Sequence, residues 1–93
     1  MNTERLDGKV IIITGASSGM GAAMAKDFAA RGASIAIFDL DETKGISVVK
    51  EIIENHGKAI FKKVDVTDKS AIQNATDAVE KEFGNITSWV NSA

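Results

Sequence analysis

Lys9-Val10-Ile11-Ile12-Ile13-Thr14-Gly15-Ala16-Ser17-Ser18-Gly19-Met20-Gly21 is the stretch on which the fold of this chain turns. Val10 to Ile13 is an unbroken β-branched run without polar alternation, the pattern of a parallel strand covered on both faces. The glycines from Gly15 to Gly21 end that strand. An Ala-rich stretch with Met24 and Phe28 then reads as a helix up to Arg31, and Gly32 stands where a left-handed closing residue belongs.

The same grammar repeats downstream. Ser34 to Asp39 reads as a second strand. Ile46, Val49, Ile52 and Ile53 recur at helical spacing in a second helix that closes at His56-Gly57, ahead of a third strand through Ala59 to Val64. Thr67 or Asp68 caps a third helix, whose stripe is Ile72, Ala75, Val79 and Phe83 and whose end is Gly84. Ile86 to Asn91 is the fourth strand. With no linker and no low-complexity segment, residues 1–93 are expected to form one α/β unit, β-α-β-α-β-α-β. Right-handed crossovers predict a doubly wound parallel sheet of order 3-2-1-4, Rossmann-like, with helices one and two on one face and helix three on the other. A crevice then opens between strands one and four at the carboxyl ends, where such sheets bind ligands.

Composition narrows the function. The sequence of 93 residues has 11 basic and 13 acidic side chains, a net charge of -2 and no basic block, so nucleic acid is not an expected partner. Val10 to Ile13 is far too short to span a bilayer, and the polar start has no signal-peptide layout, so no membrane partner and a cytoplasmic location are expected. Zero Cys and one His leave no thiolate or His-based metal site.

Between a strand and a helix, the glycine-rich turn acquires a mechanism, because backbone N–H groups and the helix dipole favour an anion there. Gly15 permits the tight turn, Gly19 lets the backbone approach a pyrophosphate, and Gly21 allows the helix to pack closely on the sheet. Ser17 and Ser18 add hydroxyl donors. A Walker-type loop would need Lys after its last glycine, and here Ala22 follows Gly21, which disfavours nucleoside triphosphate hydrolysis.

Asp39 lies 18 residues beyond Gly21 at the end of strand two, close to the spacing of about 20 at which a ribose-binding carboxylate is expected. It would repel a 2′-phosphate, and neither Ser18 nor Leu40 supplies the cation that would welcome one. The expected cofactor is NAD rather than NADP.

Thr14 to Gly21, Asp39, Asp65-Val66 after strand three and Asn91-Ser92-Ala93 after strand four together resemble the classical short-chain dehydrogenases/reductases, and the resemblance covers the whole chain. It implies that Asp65 holds the adenine amino group with Val66 on the ring, that Asn91 and Ala93 lie by the cofactor, and that Met20, otherwise a core residue like Met24, approaches its nicotinamide half. Ser92 departs from the second Asn of the family's Asn-Asn-Ala-Gly. The resemblance further implies an NAD-dependent enzyme moving a hydride between NAD(H) and an alcohol or ketone, in a homo-oligomer, with a catalytic Ser, Tyr and Lys beyond strand four. This sequence contains no Tyr, so no catalytic residue is expected in it. The chain is expected to be the cofactor-binding half, truncated in or after the fourth strand. A non-catalytic dinucleotide-binding module and a class I methyltransferase are the alternatives. The latter is disfavoured by Thr14 and by the three-residue gap before Gly19. His56 reads as the residue before the closing Gly57, suited to the negative end of helix two, Trp89 as sheet packing and Lys62-Lys63 as a solvated strand end.

Overall fold

The computed structural model describes residues 4–92, so Ala93 lies outside the described residues. The elements run β1 (Val10–Thr14), α1 (Gly19–Ala30), β2 (Ser34–Asp39), α2 (Glu42–Glu54), β3 (Lys58–Lys63), α3 (Lys69–Phe83) and β4 (Ser88–Asn91). All pairings are parallel and the order is β3-β2-β1-β4, as the crossover argument requires.

The apolar runs of β1 and β2 serve two cores because alternate residues point to opposite faces. Ile11, Ile13, Ile35 and Ile37 meet Ala22, Ala25 and Ala29 of α1 and Val48 and Ile52 of α2. Val10, Ile12, Ala36 and Phe38 meet Ala75 and Val79 of α3 on the other face. Each fully buried Ile or Phe contributes about 1.5–3 kcal/mol. The buried side of α1 is Gly and Ala throughout, which lets that helix lie close to the strands. α3 is the helix on that face among the described residues, Val64 and Ile86 complete the cluster around Val10, Ile12, Ala36 and Phe38, and Trp89 on β4 stays 44% exposed.

Three details depart from the sequence-based expectation. The left-handed residue closing α2 is His56, at φ +69°, and not Gly57. α2 buries Gly45, Val48 and Ile52 and leaves Ile46 and Ile53 exposed. Its rotation follows from Phe61, whose ring lies against Gly45 where any Cβ would collide with it. β4 is also shorter than read. Val10 N–H donates to Thr87 Oγ1 at 3.0 Å, so a side chain occupies the place of the next ladder bond. Among the described residues, no helix is long and apolar enough to cross a membrane.

Candidate functional site

β1 passes into α1 through a turn that only glycine adopts without strain. Gly15 (φ +71°) and Gly19 (φ +62°) are both left-handed, a conformation that costs a residue with a Cβ about 1–2 kcal/mol. The turn is tied on both sides. Gly15 N–H donates to the Phe38 carbonyl at 3.0 Å, and Ser92 N–H donates to the Thr14 carbonyl at 3.0 Å. Buried Thr14 donates through Oγ1 to Asn91 Oδ1, also at 3.0 Å.

At Gly21 the close approach involves the turn and the end of β4. A Cβ there would fall 2.6 Å from Ser92 Oγ and 2.7 Å from the Gly15 carbonyl oxygen, so the glycine lets the helix close on the turn and on the end of β4. At Gly19 a Cβ would meet nothing within 4 Å, which leaves bare backbone facing open space.

Helix α1 begins without a cap. Its N-cap Ser18 makes no side-chain capping bond, and its first turn holds no acid. Asp41 caps α2 by accepting from Lys44 N–H at 3.0 Å, and Asp68, not Thr67, caps α3 by accepting from Ala71 N–H at 3.1 Å. The first-turn N–H groups of α1 therefore remain available to an anion, beside the dipole's positive end.

Asp39 sits across the turn from these donors. Its Oδ2 accepts from Ser17 Oγ at 2.7 Å and from Ser17 N–H at 3.3 Å, while Oδ1 accepts from Asp41 N–H at 3.0 Å. Burial pushes the carboxyl pKa up, but the donations from Asp41, Ser17 and Leu40 outweigh it and hold Asp39 below the ordinary carboxylate value. It is therefore a charged acceptor at neutral pH.

A cleft of about 310 Å³ opens beside Asp39, with Gly15, Phe38, Leu40, Val64 and Val66 among its walls. Leu40 and Val66 are 59% and 45% exposed, apolar surface suited to a flat ring. Asp65 lines the same cleft, and its Oδ1 accepts from the N–H and hydroxyl of Thr67 at 2.9 and 2.7 Å, which keeps the carboxylate below its usual range. Two further grooves lie at the amino ends of the strands, one walled by the Lys26–Glu51 ion pair and the other by the Arg5–Asp7 pair together with His56 and Lys58. Those grooves have no exposed helix N-terminus.

The structure thus gathers Gly15, Ser17, Ser18, Gly19, Met20 and Gly21 at the β1–α1 turn, Asp39 and Leu40 after β2, Asp65 and Val66 after β3 and Asn91 at the end of β4. All stand at the carboxyl ends of the strands. Met20 is 77% exposed and belongs to no core, whereas Met24 packs against the α1–α2 core. Trp89 packs edge-on against Phe38, ring centroids 5.7 Å apart. Sequence reasoning missed Thr14, Thr67 and Ser92 as partners of site residues. The Asp-x-Thr spacing of Asp65 and Thr67 is the local signal that identifies their turn, but nothing local announces Thr14–Asn91 or Ser92–Gly21. These residues fit a dinucleotide: an anion site, a charged acceptor and an apolar slot follow one another along a single crevice.

Comparison with known proteins agrees. The family model described as short chain dehydrogenase matches residues 9–93. The chain is 47% identical over 89 residues to 2,5-dichloro-2,5-cyclohexadiene-1,4-diol dehydrogenase of Sphingobium indicum, covering 96% of this chain and 36% of that protein. It is 44% identical over 89 residues to D-threitol dehydrogenase of Mycolicibacterium smegmatis, covering 96% and 34%. It thus spans about a third of the length of these curated relatives. Among solved structures, a hydroxysteroid dehydrogenase from Escherichia coli superposes with a TM-score of 0.91 at 35% identity, over 96% of this chain and 38% of that one. An oxidoreductase from Haemophilus influenza, solved with bound NAD, superposes with a TM-score of 0.88 at 34% identity, over 92% and 31%. With the sheet order, the glycine turn and the sequence match in agreement, the chain belongs to the short-chain dehydrogenase family.

Proposed function

We propose that the protein is an NAD(H)-dependent oxidoreductase that moves a hydride between NAD(H) and an alcohol or ketone, this chain being its cofactor-binding half. The observation that carries the reading is an uncapped α1 N-terminus facing a charged Asp39 across one glycine turn. In this reading the N–H groups from Gly19 to Gly21, with Ser18 Oγ, hold the pyrophosphate. Asp39 accepts from the adenosine ribose diol. Leu40 and Val66 flank the adenine, and Asp65 accepts from its amino group. Asn91 and exposed Met20 face the nicotinamide half. When bound, the cofactor supplies the hydride donor or acceptor, and the residues named here bind and orient it.

Asp39 favours NAD over NADP because a 2′-phosphate in its place meets a like charge, with no Arg or Lys at Ser18 or Leu40 to offset it. The relatives named as dehydrogenases of a diol and of threitol support the alcohol class of substrate.

Trp89 is the sole Trp in the sequence, which makes titration with NADH, followed by quenching of its emission, a direct test. Saturable binding of NADH, with NADPH weaker by about tenfold or more, is the expected outcome. Absence of NADH binding, or equal affinity for the two, would overturn the assignment.

A further inference from the structure

Asp39 is held in place without a cation. Among the described residues no ion pair involves it, and its orientation rests on hydrogen-bond donors alone. Ser17 provides two of these, both to Oδ2, from a residue of the phosphate-side turn. Oδ1 accepts from Asp41 N–H at the start of α2, and the Leu40 backbone also donates to the carboxylate. Oδ2 is thus held from the phosphate-side turn and Oδ1 from the backbone that opens α2, so Ser17 is the one side chain among the described residues that fixes the carboxylate.

We propose that Ser17 is a positioning residue that clamps Oδ2 of Asp39, so that the carboxylate is presented to the ribose diol before the cofactor arrives and the preference for a diol over a 2′-phosphate depends on that clamp. The proposal rests on the cofactor reading above and adds to it a residue that acts through Asp39. A hydroxyl donating to a carboxylate at 2.7 Å is a short, charge-assisted bond, stronger than a neutral one. Fixing the acceptor in advance removes an ordering cost that binding would otherwise bear. The clamp also joins the two halves of the adenosine diphosphate site, since Ser17 leaves the same turn whose backbone faces the pyrophosphate.

Other charged groups near Asp39 are few. Lys63 stands in register with it on β3, Asp65 shares its cleft, and Asp41 and Glu42 open α2. None of them hydrogen-bonds or ion-pairs with the Asp39 carboxylate through its side chain among the described residues. An acid limb in cofactor binding that responds to Ser17 is therefore assigned to Asp39.

The experiment compares NADH and NADPH titrations of the protein with those of Ser17→Ala and Ser17→Thr. Loss of a hydrogen bond to a charged group should weaken NADH binding about tenfold in Ser17→Ala. NADPH affinity should hold or rise, so the preference falls by about the same factor, and the acid limb of NADH binding should move up toward the ordinary carboxylate range. Ser17→Thr restores the hydroxyl and should recover both. A Ser17→Ala protein with unchanged preference and unchanged acid limb would overturn the proposal. So would an equal loss toward both cofactors, which marks a general role in the turn. Failure of the unsubstituted protein to bind NADH would instead overturn the cofactor reading, and this inference with it.

Discussion

Thr14 and Asn91 stand side by side at the carboxyl ends of β1 and β4, and the threonine hydroxyl donates to the asparagine Oδ1 at 3.0 Å. The bond closes the central seam of the sheet directly beneath the glycine turn, so the two residues bordering the crevice move as one. Thr14 is buried, and a replacement there is felt by its partner.

Thr14→Val keeps the shape and removes the donor. It should lower stability by about 1–3 kcal/mol, because Asn91 Oδ1 loses its partner in a partly desolvated place. Urea unfolding measures the change, and a midpoint equal to that of the unsubstituted chain would show that the bond contributes nothing.

Asp39→Ala removes the carboxylate that discriminates against a 2′-phosphate. In the full-length enzyme of which this chain is read as the cofactor-binding half, the ratio of kcat/KM for NAD over NADP should narrow or invert, through loss of a repulsion worth on the order of 1–3 kcal/mol. Steady-state kinetics with both cofactors decides it. An unchanged ratio would remove Asp39 from the ribose site.

Gly19→Ala and Gly21→Ala should separate binding from folding. The first puts a methyl into open space at a left-handed residue, at a strain of about 1–2 kcal/mol. It should stay folded while losing most of its affinity for NADH. The second drives a Cβ to 2.7 Å from the Gly15 carbonyl, which backbone alone must relieve, and should lower the melting temperature by more. Circular dichroism melts beside NADH titrations test the pair. Equal melting temperatures would contradict the packing at Gly21.

Acid should weaken the turn through Asp39. Its folded-state pKa lies below the ordinary value of 3.8. A depressed folded-state value contributes stability that is fully present above the unfolded value and is lost as pH falls through the folded one. Stability from this group should therefore be constant near neutrality and decline below 3.8. The Asp39→Asn variant should lack that part of the decline. Urea midpoints across the acid range provide the measurement, and parallel profiles would refute it.

Self-association of the 93-residue chain is the expected outcome of the exposed apolar surface on the second sheet face. Trp89 is 44% exposed on β4, an edge strand among the described residues. Light scattering and thermal melts across a concentration series should show a growing mass and a rising midpoint. A monomer with a concentration-independent melt would show that the chain closes its own core.

Element order, sheet order and the position of the crevice were all legible in the sequence. The unbroken run Val10 to Ile13, the left-handed closers Gly32 and Gly84 and the helical spacing of Ile72, Ala75, Val79 and Phe83 are local signals, and crossover handedness converts them into a layout. The binding turn was legible for the same reason, since its glycines are consecutive in the chain. Tertiary structure alone decided how α2 is rotated, because hydrophobic spacing gives a helix its stripe but only the Phe61 ring on Gly45 selects which side faces inward. It alone decided that Gly21 accommodates Ser92, that Ser17 clamps Asp39 at a separation of 22 residues and that Thr14 holds Asn91 at a separation of 77. Such pairs follow from the distances at which packed elements come to rest, and no periodicity along the chain encodes a distance between segments that meet only once the core has closed.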